Sequence, residues 1–267
     1  MLTLAGVLGF PVGHSLSPAM HNAAYRELGL DWRYVKLPVP PERFEETVRA
    51  LPGSGYRGAN VTIPHKPAAL HVAAEATEAA RTIGAANTLT FEDGTILAEN
   101  TDAGGLLSAL RAQGAQPSGT RALVLGAGGA GRAAAWALRE AGAAEVMVWN
   151  RTAERAGELA AELGVRHVRR AEPCDLLVNA TAVGLRREPD ALGHLGIAQL
   201  EPPRFVVDLV YSSEARTPVQ EWGERAGATV VGGIEVLVRQ GALSLETWSG
   251  RRAPLEVMRE AALGAAP

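Results

Sequence analysis

The chain has 267 residues, of which 47% are hydrophobic and 21% charged, and it carries a formal net charge of −3. That length accommodates one large domain or two ordinary ones, and the balance is that of a folded soluble protein, not a disordered one. The charge gives no broad positive field for nucleic acid or anionic lipid, and the single cysteine, Cys174, excludes an internal disulfide and a thiolate metal cluster.

From the start of the chain, Leu4–Val12 reads as a strand and Ser17–Leu28 as a helix, with Ser17 as N-cap and Pro18 at the first helical position. Trp32–Val39 predicts a strand, Pro41–Ala50 a helix, Arg57–Ile63 a strand and Lys66–Arg81 a helix. Asn87–Phe91 and Thr95–Ala98 flank the turn signal Glu92-Asp93-Gly94 and predict a hairpin. A second alternation begins at Arg121: strand Ala122–Leu125, helix Gly131–Ala141, strand Glu145–Trp149, helix Ala153–Leu163, strands Asp175–Asn179 and Phe205–Val210, helix Pro218–Ala226. Strand and helix in turn at this spacing imply a parallel sheet covered on both faces. Val236–Leu263 reads as mostly helical. The opening Met1–Phe10 lacks a basic leader, and the apolar runs fall far short of the roughly 20 residues a membrane helix needs. The expected setting is therefore the cytoplasm, with no membrane or nucleic-acid partner and no metal.

Gly126-Ala127-Gly128-Gly129-Ala130-Gly131 fits G-x-G-x-x-G between a predicted strand and a predicted helix. In that context the first glycine makes the tight turn, the second lets the backbone approach a pyrophosphate, and the third allows close helix–strand packing. The phosphates would rest on free N–H groups at the helix start. At the end of the next strand, where an NAD site places an acid for the ribose hydroxyl, this chain has Asn150, followed by Arg151 and Thr152, with Arg155 one helical turn on. An acid there would repel a 2′-phosphate, whereas arginine binds one bidentately. Cations in the first turn of a helix oppose its dipole, which favours a ligand over simple solvation. The predicted cofactor is NADP.

The first half carries polar residues that each have a structural explanation when taken singly. Ser15 and Ser17 flank a helix start, a place suited to a carboxylate but equally to capping. Asn60 and Thr62 share one face of a strand, and Pro64 ends it so that Lys66 opens the next helix, against the dipole. Asn87 supplies an amide, and Asp102 lies at a helix start where it reads as an N-cap.

Together the serine-rich opening, the box Asn60-Val-Thr62-Ile-Pro-His-Lys66, the segments Ala86-Asn87-Thr88 and Asn100-Thr101-Asp102, the glycine turn, Asn150-Arg151-Thr152, and the Gln240…Trp248-Ser-Gly250 tail resemble the shikimate dehydrogenase family over nearly the whole chain. The resemblance implies an α/β protein of two domains with a cleft between them. Residues 1–101 and 238–267 would form the substrate domain, and 102–237 a Rossmann-type NADP-binding domain. It implies reversible NADP-dependent reduction of 3-dehydroshikimate to shikimate, a step of aromatic amino acid biosynthesis, by a monomer or homodimer. Ser15 and Ser17 would hold the carboxylate, and Asn60, Thr62, Asn87 and Gln240 the ring hydroxyls. Lys66 and Asp102 would form the acid–base pair, with Tyr211 near the substrate. Thr181 would lie in the cofactor site and Gly233 would approach the nicotinamide. The chain departs from the family pattern where Ala182 replaces the serine of an N-A-T-S-x-G box, where Ser213 replaces a proline, and where Val236 stands for a methionine. An NAD-using quinate/shikimate dehydrogenase is the nearest alternative, which Asn150-Arg151 opposes. A non-catalytic NADP sensor of the same fold is another, opposed by the presence of Lys66 and Asp102.

Overall fold

The computed structural model describes residues 2–185, 189–211 and 216–265, so Ser213 lies outside the described residues. The chain divides into two units, one of residues 1–105 with 238–265 and one of residues 106–237.

In the first unit, strands β1 (Thr3–Gly9), β2 (Trp32–Pro38), β3 (Tyr56–Val61), β4 (Glu75–Ala76), β5 (Thr88–Glu92) and β6 (Thr95–Glu99) form one mixed sheet in the order β2-β1-β3-β5-β6-β4. β1 pairs in parallel with β2 and β3, while β3–β5 and β5–β6 are antiparallel. Helices α1 (Ser17–Glu27), α2 (Phe44–Ala50), α3 (Lys66–Val72), α4 (Glu78–Ile83), the start of α5 (Thr101–Ala112) and the later part of α10 (Gly233–Ser249) belong here, with α11 (Leu255–Gly264). One core gathers Leu8, Phe44, Val48, Val61, Val72, Leu89 and Phe91, and their removal from water is what holds this layer of sheet and helix together.

Three predicted elements are redrawn. The helix expected over Lys66–Arg81 is two helices, because Glu75–Ala76 leaves the helical path to pair in parallel with Leu97–Ala98. Thr77 then caps α4 by accepting from the Ala80 N–H at 3.2 Å. Ser17 is not the cap of α1. The helix begins at Ser17 itself, and Ser15 Oγ accepts from the Ser17 N–H at 3.3 Å. Pro41–Arg43 is a single 3-10 turn before α2.

In the second unit, strands β7 (Arg121–Leu125), β8 (Glu145–Trp149), β9 (Arg166–His167), β10 (Leu176–Asn179), β11 (Phe205–Asp208) and β12 (Thr229–Gly232) are all parallel, in the order β12-β11-β10-β7-β8-β9. This is the doubly wound dinucleotide-binding order, with its switch point between β7 and β10. Helices α6 (Gly129–Glu140), α7 (Ala153–Leu163), α8 (Ala191–His194) and α9 (Pro218–Arg225) accompany it. Side chains alternate across the sheet as the pleat requires. Ala122, Val124, Val146, Val148 and Val178 enter one apolar cluster, while Leu123, Leu125, Met147, Leu177 and Val206 enter the other. Both faces are buried, as the alternation of strand and helix in this half of the sequence predicts.

Candidate active site

The polar groups of the first unit converge at the ends of β3 and β6. Lys66 opens α3 just after Pro64, and its Nζ donates to Asp102 Oδ2 at 2.5 Å, with the two side chains only 13% and 19% exposed. Asp102 is not the N-cap of α5 that the sequence suggests. Asn100 does that work, its Oδ1 accepting from the Ala103 N–H at 3.3 Å, and the Asp102 carboxylate is thereby left to face Lys66. Asn87 binds the other oxygen, its Nδ2 donating to Asp102 Oδ1 at 2.8 Å. The same amide nitrogen lies 3.1 Å from Gln240 Oε1, and Asn87 Oδ1 accepts from the Thr101 N–H at 2.7 Å. Lys66, Asp102, Asn87 and Gln240, far apart in the chain, thus form one hydrogen-bonded cluster.

Asn60 sits deeper, 5% exposed, with its amide engaged from both ends. Tyr34 O–H donates to its Oδ1 at 2.8 Å, and its Nδ2 donates to Ser244 Oγ at 2.8 Å and to Thr88 Oγ1 at 3.1 Å. Thr88, Thr101 and Ser244 bond one another at 3.0–3.3 Å, continuing the network to Asn87. Sequence reasoning missed Tyr34, Thr88 and Ser244. Their only signal is a hydroxyl within a strand or helix, which reads as ordinary until the elements are brought together. Below Asn60, the His21 ring stacks on Tyr34 with centroids 4.2 Å apart and planes 8° apart. His21 is fully buried with neither ring nitrogen hydrogen-bonded among the described residues, and burial pushes its pKa down to about 3. Thr62 lies just past β3, half-buried, its N–H donating to Leu8 O at 2.9 Å. Ser15 is half-buried and Ser17 is 5% exposed at the start of α1.

In the second unit, the glycine turn joins β7 to α6. Gly126 has φ +111°, and a Cβ on Gly131 would stand 2.0 Å from Gly126 O, so neither position tolerates a side chain without opening the turn. Gly128 is the opposite case: a Cβ there meets nothing within 4 Å. Gly128 is also the N-cap of α6, with no side-chain cap and no acid in the first turn, so the helix presents uncapped N–H groups to open space. The turn therefore fits a dinucleotide pyrophosphate. Ala127 N–H donates to Asn150 Oδ1 at 3.3 Å and Asn150 Nδ2 to Thr152 O at 2.9 Å, which ties the turn to the end of β8. Arg151, Thr152 and Arg155 are all exposed around the start of α7. Neither arginine is ion-paired among the described residues. Thr181 donates to Asn179 Oδ1 at 2.8 Å. Gly233 opens α10 against the carbonyls of Leu209 and Val210. Tyr211 follows β11, with its phenol pKa raised by burial. It belongs to the second unit, whereas Lys66, Asp102, Asn87 and Gln240 belong to the first.

Among the described residues, no helix is long and apolar enough to cross a membrane. Comparison with known proteins gives three family matches and relatives that cover nearly all of the chain. Residues 7–89 match the shikimate dehydrogenase substrate binding domain, 109–183 the shikimate/quinate 5-dehydrogenase family, and 233–263 the shikimate 5′-dehydrogenase C-terminal domain. The NADP(+) shikimate dehydrogenase of Methanopyrus kandleri is 46% identical, covering 97% of this chain and 94% of that protein. That of Methanothermobacter thermautotrophicus is 42% identical over 97% and 95%. The crystal structure of Thermus thermophilus shikimate 5-dehydrogenase in complex with NADP(H) and shikimate superposes with a TM-score of 0.87 at 42% identity, covering 98% of this chain and 99% of that one. With these three matched segments and relatives at such identity over nearly their full length, the chain belongs to the shikimate dehydrogenase family.

Proposed function

We propose that the protein catalyses the reversible NADP-dependent interconversion of shikimate and 3-dehydroshikimate, a step of aromatic amino acid biosynthesis, with Lys66 and Asp102 as its acid–base pair. The observation that carries the assignment of the pair is the part-buried contact of 2.5 Å between Lys66 Nζ and Asp102 Oδ2. NADPH supplies the hydride that adds to the ketone carbon. As that carbon–hydrogen bond forms, charge develops on the ketone oxygen, and the Lys66 ammonium stabilises it and delivers the proton. In the oxidative direction the Lys66 amine removes the hydroxyl proton. Asp102 holds the amine in place, and Asn87, bonded to Asp102, Thr101 and Gln240, fixes the carboxylate. Ser15 and Ser17, at the N-terminal end of α1, take the substrate carboxylate; Thr62, Asn87 and Gln240 face its hydroxyls, and Asn60 supports them from below. The turn from Gly126 to Gly131, with Thr181, takes the pyrophosphate half of the cofactor. Asn150, Arg151, Thr152 and Arg155 would take its 2′-phosphate and Gly233 would serve its nicotinamide half, with Tyr211 a further candidate substrate residue. The purified protein assayed with shikimate or quinate against NADP⁺ or NAD⁺ should reduce NADP⁺ with shikimate fastest. Faster turnover with NAD⁺ and quinate would overturn the assignment.

A further inference from the structure

Asp208, the last residue of β11, is 0% exposed, and its carboxylate contacts no cation among the described residues. Its partners are three donors from three separate segments. Asn179 Nδ2, at the end of β10, donates to Oδ1 at 2.8 Å, and the Val210 N–H donates to the same oxygen at 3.1 Å. Thr217, the N-cap of α9, donates through Oγ1 to Oδ2 and itself accepts from the Gln220 N–H at 3.2 Å. An acid in such a place costs stability unless every acceptor is satisfied, and burial raises its pKa to about 6.

Two chains of contact lead from this carboxylate to the parts of the cofactor site. Through Asn179 it reaches the glycine turn. Asn179 Oδ1 accepts from the Thr181 N–H at 3.1 Å and from Thr181 Oγ1 at 2.8 Å. Ala180 and Thr181 are the groups against which Gly126 is packed, with Ala180 O only 2.9 Å from where a Cβ would stand. Through Val210 it reaches the other end. Leu209 O and Val210 O lie 2.6 and 2.7 Å from the Cβ position of Gly233. One side chain therefore sets the backbone beside the pyrophosphate turn and beside the glycine that opens α10, both at the carboxyl edge of the parallel sheet where dinucleotides bind.

We propose that Asp208 is a positioning residue for NADP(H), holding residues 179–181 and 209–210 in register with the glycine turn by accepting three hydrogen bonds. This rests on the cofactor assignment above. The role is one of hydrogen-bond acceptance, not of charge, and that separates it from an electrostatic one. In Asp208→Asn the amide oxygen can still accept from Asn179 and Val210 while the amide nitrogen donates to Thr217, so the geometry survives. In Asp208→Ala the three donors lose their acceptor.

The test is fluorescence titration with NADPH of the unaltered protein, Asp208→Asn, Asp208→Ala and Asn179→Ala, each checked for folding by circular dichroism, together with KM for shikimate. Asp208→Ala and Asn179→Ala should each weaken NADPH about tenfold or more, Asp208→Asn by less than about threefold, and KM for shikimate should stay within about twofold. A folded Asp208→Ala that binds NADPH like the unaltered protein overturns the proposal, as does an Asp208→Asn that loses as much as the alanine variant. Should Asp208→Ala fail to fold, Asn179→Ala decides, and unchanged NADPH affinity there overturns it. Failure of the cofactor assignment itself would look different, because the unaltered protein would then not bind NADPH.

Discussion

His21→Phe removes a titrating ring from a place that water does not reach. In the folded chain the ring is fully buried, stacked on Tyr34, and has a pKa of about 3 against 6.5 when unfolded. The unfolded chain therefore takes up the proton first. Stability owed to the neutral ring is complete above about pH 6.5 and is lost as pH falls toward 3, by about 1.4 kcal/mol per unit and about 5 kcal/mol in all. Between pH 7.5 and pH 5 the loss is about 2 kcal/mol, and it hardly depends on the folded value so long as that lies below about 4. Phenylalanine keeps a ring against Tyr34 but does not titrate. Any fixed packing cost is the same at both pH values, and other titrating groups, the raised carboxyl of Asp208 included, cancel when the two proteins are compared. Urea unfolding followed by tryptophan fluorescence at both pH values should show the protein losing about 2 kcal/mol more than His21→Phe on acidification. At an m value of about 2 kcal/mol/M, that is a midpoint shift of about 1 M. Parallel losses within about 0.5 kcal/mol would refute the reasoning, since a ring that charges freely in the fold contributes no such slope.

Arg151→Ala should weaken NADPH about tenfold while leaving NADH almost unchanged, as expected for a lost charge-assisted bond to a phosphate that only NADPH carries; equal weakening of both, by parallel titrations, would remove the clamp. Gly128→Ala should keep its melting temperature, because the new methyl meets nothing within 4 Å, yet lose NADPH affinity because that space is where the pyrophosphate approaches. Normal affinity in Gly128→Ala would contradict that placement. Gly131→Ala, whose methyl would stand 2.0 Å from Gly126 O, should lose both melting temperature and affinity, and an unchanged melting curve would show that the turn is not tightly closed.

The features legible in the sequence are those with a local physical cause. Gly126 and Gly131 announce their turn because no other residue fits there, and Lys66 stands out because a cation at a helix start opposes the dipole. The alternation of strand and helix from Arg121 onward predicts a parallel sheet covered on both faces, and both faces are buried. Features set by distant partners are not legible. Ala73-Ala-Glu-Ala has good helix propensity, and only the pairing of Glu75–Ala76 with β6 breaks the helix there. Asn100 and Asp102 are equally good caps by type, and only Lys66 and Asn87, 36 and 15 residues away, mark Asp102 as the one left for the site. Asp208 ends an apolar run and resembles a surface turn acid until Asn179 and Thr217, 29 and nine residues away, enclose it.

Lys66→Ala gives the most direct test of the catalytic pair. Steady-state turnover of shikimate with NADP⁺, measured beside NADPH affinity on the same preparation, should show kcat reduced about a thousandfold with affinity within about twofold, the size expected for loss of a general acid–base group. Turnover left within a few-fold of the unaltered enzyme would contradict the account, because the proton would then be travelling by another route.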